Sequence, residues 1–169
     1  METAIVNQQF TYHKKSGYIG FIVAMICVCL VETVGVSYLL YKWSPVLHWI
    51  HLLLSVSTIL FLILDLRAVN KNPIILQNDE LIIKVGLRPA VHIQLSDILE
   101  IKSGKLNFEN DRKNKEVLDL SLLGFDEPTF EIVLSEPIHN KNKSIQRIFF
   151  TVDDERAFYE LVNQGRGNH

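Results

Sequence analysis

Cysteine is almost missing from this chain. The two that occur, Cys27 and Cys29, lie in one apolar segment. Two positions apart on a helix, they point to nearly opposite sides and cannot bridge each other. No disulfide framework or zinc-ligand spacing exists. A basic excess is missing too: 17 Lys and Arg stand against 19 Asp and Glu, a net charge of -2. A nucleic-acid binder should show a basic stripe. No Gly-rich phosphate loop, G-x-S-x-G or H-E-x-x-H occurs, which removes the common motif-borne chemistries. Acids and bases are present, but no spacing joins them into an active site. The sequence therefore predicts neither an enzyme nor a cofactor.

Charge is scarcest in one place. Over residues 17–66 it is limited to Glu32, Lys42 and Asp65. Residues 17–41 and 46–66 form apolar runs of 25 and 21 residues, and a bilayer core needs about 20 per helix. Only KWSP, residues 42–45, separates them. So short a link predicts an antiparallel transmembrane hairpin over residues 17–66, with Pro45 suited to the first turn of the second helix. A cleaved signal peptide fits the first run less well, because the run is too long and a second follows directly. Lys14, Lys15, Arg67 and Lys71 flank one side and Lys42 the other. The positive-inside rule then expects a two-pass plasma-membrane protein with both termini in the cytoplasm. Tyr38, Tyr41, Trp43 and Trp49 gather at the turn, as an interfacial belt would.

Glu32 interrupts the first run. It lies nine residues before Tyr41, about 13 Å below the turn. His51 and Ser55 lie about 9 Å and 15 Å down the other helix. Glu32, His51 and Ser55 can thus meet at similar depth as an intramembrane polar site. An unpaired charge there costs about 2.5–3.5 kcal/mol on insertion scales, so a partner is expected. Three readings compete: Glu32 protonated or hydrogen-bonded to His51 or Ser55 to hold the hairpin; a proton or ion site; or a metal held by Glu32, His48 and His51. The last has suitable ligand types but no distinctive motif, and no metal is assigned. Asp65 beside Arg67 reads as an interfacial pair.

From Asn72 the periodicity changes to two. PIILQ (73–77) and ILEIK (98–102) read as short strands, and LIIKVG (81–86), VHIQL (91–95), VLDLSL (117–122), FEIVL (130–134) and RIFFTV (147–152) place apolar residues at every second position between turn signals, the pattern of strands. The final stretch puts Ala157, Phe158, Leu161 and Val162 on one stripe of a helix. Thr151 or Asp153 would cap it, and Gly165 would stop it. About seven antiparallel strands and one helix in about 100 residues suffice for one compact core. The N-terminal residues 1–16 form a cytoplasmic tail, with Phe10 and Tyr12 alternating with polar neighbours. The tail either lies on the membrane or adds an edge strand.

Two adjacent spans followed by NPIILQNDELIIKVGLRPAVHIQLSDILEIK, and closing on IFFTVDDERAFYELV, resemble the bacterial membrane-flanked, pleckstrin-homology-like (PH-like) domains. The resemblance covers roughly residues 72–165 and the position of the hairpin. It implies an α+β protein: the transmembrane hairpin, then a PH-like antiparallel β-barrel or sandwich capped by a C-terminal helix. It also implies an interaction module that docks a protein partner at the inner face of the membrane. Headgroup-binding members carry a basic first hairpin. Here that turn reads Gln77-Asn78-Asp79-Glu80, which argues against phosphoinositides. The more basic loops hold Arg112, Lys113 and Lys115, then Lys141, Lys143 and Arg147. They read as solvated hairpin tips, or more sharply, for Lys141, Lys143 and Arg147, as contacts to anionic inner-leaflet lipid, each worth about 1 kcal/mol. His92 and His139 read as solvated.

Overall fold

The computed structural model of the chain describes residues 7–104, 106, 108, 114–122, 127–140 and 143–167, with the backbone alone for 139, 140, 143, 166 and 167. Two long helices lead, α1 (Tyr18–Trp43) and α2 (Pro45–Lys71). Both are long and apolar enough to cross a membrane, which fits a membrane location. Their surfaces are apolar all round: Val31, Val34, Leu53 and Leu54 are exposed, as suits a lipid-facing helix. The turn between them is tighter than the sequence predicts, because Trp43 and Pro45 are already helical and Ser44 alone is extended. Ser44 serves both helices: its amide donates to the Leu40 carbonyl at 2.7 Å, and its carbonyl accepts the His48 amide at 3.1 Å. Pro45 takes the first helical position, where a missing N–H costs nothing.

The rest folds as two four-stranded sheets and a closing helix. One sheet is β1 (Gln8–Phe10), β2 (Ile74–Gln77), β3 (Glu80–Ile83) and β4 (Val91–Gln94), in that order. The other runs β5–β7–β8–β6, with β5 at Ile98–Ser103, β6 at Val117–Asp119, β7 at Phe130–Asn140 and β8 at Lys143–Phe150. A 3-10 turn, Leu95–Asp97, joins the sheets. Helix α3 (Glu155–Gly167) ends the chain. The α+β order and the placement of the seven predicted strands follow the periodicity, but β7 and β8 extend through much of the segment 139–147 that reads as a loop. The sheets, however, do not close into a barrel, and not every pairing is antiparallel: β6 runs parallel to β8, Leu118 facing Ile148. Parallel neighbours need a long crossover, and β7 with its two connections supplies it.

The tail resolves as an edge strand. Gln8, Gln9 and Phe10 pair antiparallel with Leu76, Ile75 and Ile74, and Phe10 and Tyr12 are buried. Inward residues of both sheets, such as Leu76, Leu81, Ile83, Ile132 and Ile148, make one core with Phe158 and Val162 of α3. Phe158 meets the rings of Phe10, Phe130 and Phe150 edge-on at 5.1–5.6 Å, a favoured aromatic geometry. Phe149 departs from the alternation. It points to the opposite face of β8 and is buried there against Phe108, 4.8 Å away. Helix α3 is capped by Asp154, whose carboxylate accepts the Ala157 amide, rather than by Thr151 or Asp153. It also runs past Gly165.

Candidate functional site

The hairpin carries one polar groove. A cavity of about 480 Å³, open on one side, is lined by Cys29, Glu32, His51, Ser55 and Thr58 among apolar neighbours. Glu32 comes from α1 and the last three from α2, so the antiparallel packing brings the three predicted residues to one groove. Their bonding differs from the expected pairing. Ser55 Oγ lies 3.2 Å from His51 Nδ1, so histidine and serine, four residues apart on one helix, satisfy each other. Glu32 is exposed and makes no hydrogen bond or ion pair among the described residues. The nearby hydroxyls bond back to their own helices, Thr33 to the Cys29 carbonyl and Thr58 to the Leu54 carbonyl. His48 turns elsewhere: its Nδ1 donates to the Ser37 carbonyl across the hairpin at 3.1 Å, and its ring stands edge-on to Tyr41. No cluster of three or more His, Cys, Asp or Glu suited to a metal ion occurs among the described residues.

A second polar cluster, not anticipated from the sequence, joins the helices to the sheets. Tyr18 at the start of α1 donates its hydroxyl to Asp65 of α2, so Asp65 pairs across the hairpin and not with Arg67. Asn72, just past α2, donates its side-chain amide to the Gly86 carbonyl, and the Gly86 amide donates to the Tyr12 hydroxyl, both at 3.1 Å. Gly86 holds φ +56°, and a Cβ there would lie 2.9 Å from an Asp65 oxygen and 3.3 Å from Val69. Only glycine fits this approach. Burial pushes the Tyr12 phenol above its ordinary value, against the opposing Gly86 hydrogen bond. Arg88 donates to the carbonyls of Asp119 and Ser121. Tyr18, Ile22 and Val69 belong to the same apolar core as the sheets.

The start of α1 is fastened from the other side. The amides of Lys14 and Lys15 donate to the two oxygens of Asp153, at 3.2 and 3.0 Å, and the Asp153 amide donates to the Thr11 carbonyl. Burial raises the Asp153 carboxyl, but hydrogen bonds from Thr11, Lys15 and Lys14, with His13 nearby, outweigh it and hold the group below its ordinary range. The sequence offered two signals for this cluster, Tyr12 among polar neighbours in the tail and a glycine, Gly86, after a strand. Neither identifies its partner without the fold.

The basic loops give less. Arg112, Lys113 and Lys141 lie outside the described residues, and of Lys143 only the backbone is described, inside β8. Arg147 sits within β8, its Nε donating to Glu131 at 2.6 Å and its guanidinium over the Phe149 ring. His92 meets Glu80 at 2.9 Å on an exposed strand face. No family model, no curated protein and no solved structure matches the chain.

Proposed function

We propose that this chain is a membrane-anchored, PH-like interaction module that presents its sheet lobe to a protein partner at the inner face of a bacterial plasma membrane, and that it is not an enzyme. The carrying observation is the double fastening of the hairpin. Where the chain enters α1, Asp153 holds Lys14 and Lys15; where it leaves α2, Asn72 holds Gly86. With no loose linker between helices and sheets, the lobe keeps one orientation toward the bilayer, and a partner's search is restricted to the membrane plane. The two four-stranded sheets and terminal helix support the PH-like kinship. The open sheets and the parallel β6–β8 pair depart from a closed barrel. Docking at a sheet edge is a common recognition mode, and Leu99 on edge strand β5 exposes 62% of its surface. Tyr159 on α3 offers a second apolar contact. The test is a photo-cross-linking residue at Leu99 or Tyr159 in living cells, with Gln77 as control. The reading expects one discrete adduct from Leu99 or Tyr159 and none from Gln77. Absence of a specific adduct under several growth conditions counts against it.

The groove favours a second reading, an ion- or proton-linked transport subunit using Glu32 with His51. Glu32→Gln separates the two. Loss of a proton- or ion-dependent phenotype by a stably inserted variant supports transport, and a change in hairpin stability alone supports the anchoring role.

A further inference from the structure

The groove carries an inference that goes beyond docking by the lobe and needs only that the hairpin lie in lipid. Glu32 is 11 residues before Trp43, about 16 Å from the turn by helical rise. A bare carboxylate at such depth is costly, and ionisable residues inside a membrane almost always face a partner. The surrounding hydroxyls are already engaged with Cys29, Leu54 and His51. With Nδ1 of His51 turned to Ser55, its Nε2 is left without a partner among the described residues, and it is the donor in the tautomer whose Nδ1 accepts the serine hydroxyl.

We propose that a second copy of this chain closes the groove, the partner's His51 pairing with Glu32 while the partner's Glu32 pairs with His51 of the first chain. A two-fold axis along the membrane normal preserves depth, so each residue meets only residues near its own level. Glu32 and His51 line one groove at similar depth. One acceptor and one donor on the same face make that face self-complementary, as an isologous interface requires. Another partner would have to bring its own donor to this depth, whereas a second copy already carries it. Cys29, one helical turn from Glu32, lines the same groove and lies beside the symmetric contact. Cys27 points away from it.

The test uses the full chain in vesicles of phosphatidylcholine and phosphatidylglycerol. Oxidation should give a cross-linked dimer that persists in Cys27→Ala and disappears in Cys29→Ala. Glu32→Gln and His51→Gln should each weaken self-association, read by energy transfer between labelled chains, about tenfold or more. An equal mixture of the two variants recovers one Glu32–His51 contact per dimer, so their mixed energy transfer should exceed that of either alone. A contact within a single chain is not rescued by mixing. Alkaline extraction should leave every variant with the vesicles, which separates lost pairing from lost insertion. Cross-linking through Cys27 instead of Cys29 overturns the proposal. So does a monomeric wild type, whether an ion or another protein fills the groove, and so does a mixture of inserted variants that shows no rescue.

Discussion

Asp153 shows how one side chain can fix the geometry where a helical hairpin joins a pair of sheets. Its carboxylate replaces water for two backbone amides that precede α1 and have no helical partner of their own. Hydrogen bonds to a charged group are worth about 1.5–3 kcal/mol each at most. Asp153→Asn is expected to cost about 1–2 kcal/mol at neutral pH. Because the folded carboxyl is held low, its contribution is complete above the unfolded value, about 3.9, and is lost as pH falls through the folded value. Denaturant melts in detergent between pH 7 and pH 2 should therefore show wild type and Asp153→Asn converging at the acid end. Parallel curves across that range would remove Asp153 from the clasp. The sequence marks Asp153 only as a candidate cap. Its actual partners lie 138 and 139 positions away, and nothing local encodes a contact of that separation. Glu32 is the opposite case. An acid inside an apolar run stands out at once, and the depth arithmetic brings His51 and Ser55 beside it. What spacing does not encode is that His51 and Ser55 bond to each other.

At the scale of elements, α3 closes the core through a single ring. Phe158 is fully buried and touches aromatic side chains from β1, β7 and β8, so it ties the terminal helix to both sheets at once. Phe158→Ala should cost about 3–5 kcal/mol, the usual range for a large core aromatic. It should also release α3 to limited proteolysis before the sheets unfold. Equal protection of α3 in both proteins would show that the helix is held by something else. Most strands of the lobe are legible because they are half-buried and alternate, from Ile74, Leu76, Leu81 and Ile83 to Ile148 and Phe150, whereas β5 breaks the alternation at a bulge between Ile98 and Glu100. The order of strands in the sheet is not, since β6 reaches β8 only after the chain has crossed the sheet. The tail strand is legible only as an alternative, because three residues are too few to fix a periodicity. The last turns of α2 were also hidden. Arg67 and Lys71 read as charges flanking a span that ends at residue 66, yet α2 runs on to Lys71, Val69 is buried under the lobe at 1% exposure, and helix and sheets share one core.

For the molecule as a whole, that shared core is the consequential feature. A hairpin whose ends pack into a folded lobe cannot swing freely, so the orientation of the helices fixes that of every sheet edge. The central claim is that the hairpin crosses the membrane with its Ser44 turn outside and the lobe within the cytoplasm. Cysteine labelling in intact cells tests it most directly, in a background with Cys27→Ala and Cys29→Ala. Ser44→Cys should react with a membrane-impermeant maleimide from outside, and Ser96→Cys in the exposed 3-10 turn of the lobe should react only after permeabilisation. Labelling of Ser96→Cys in intact cells with Ser44→Cys protected would contradict the account.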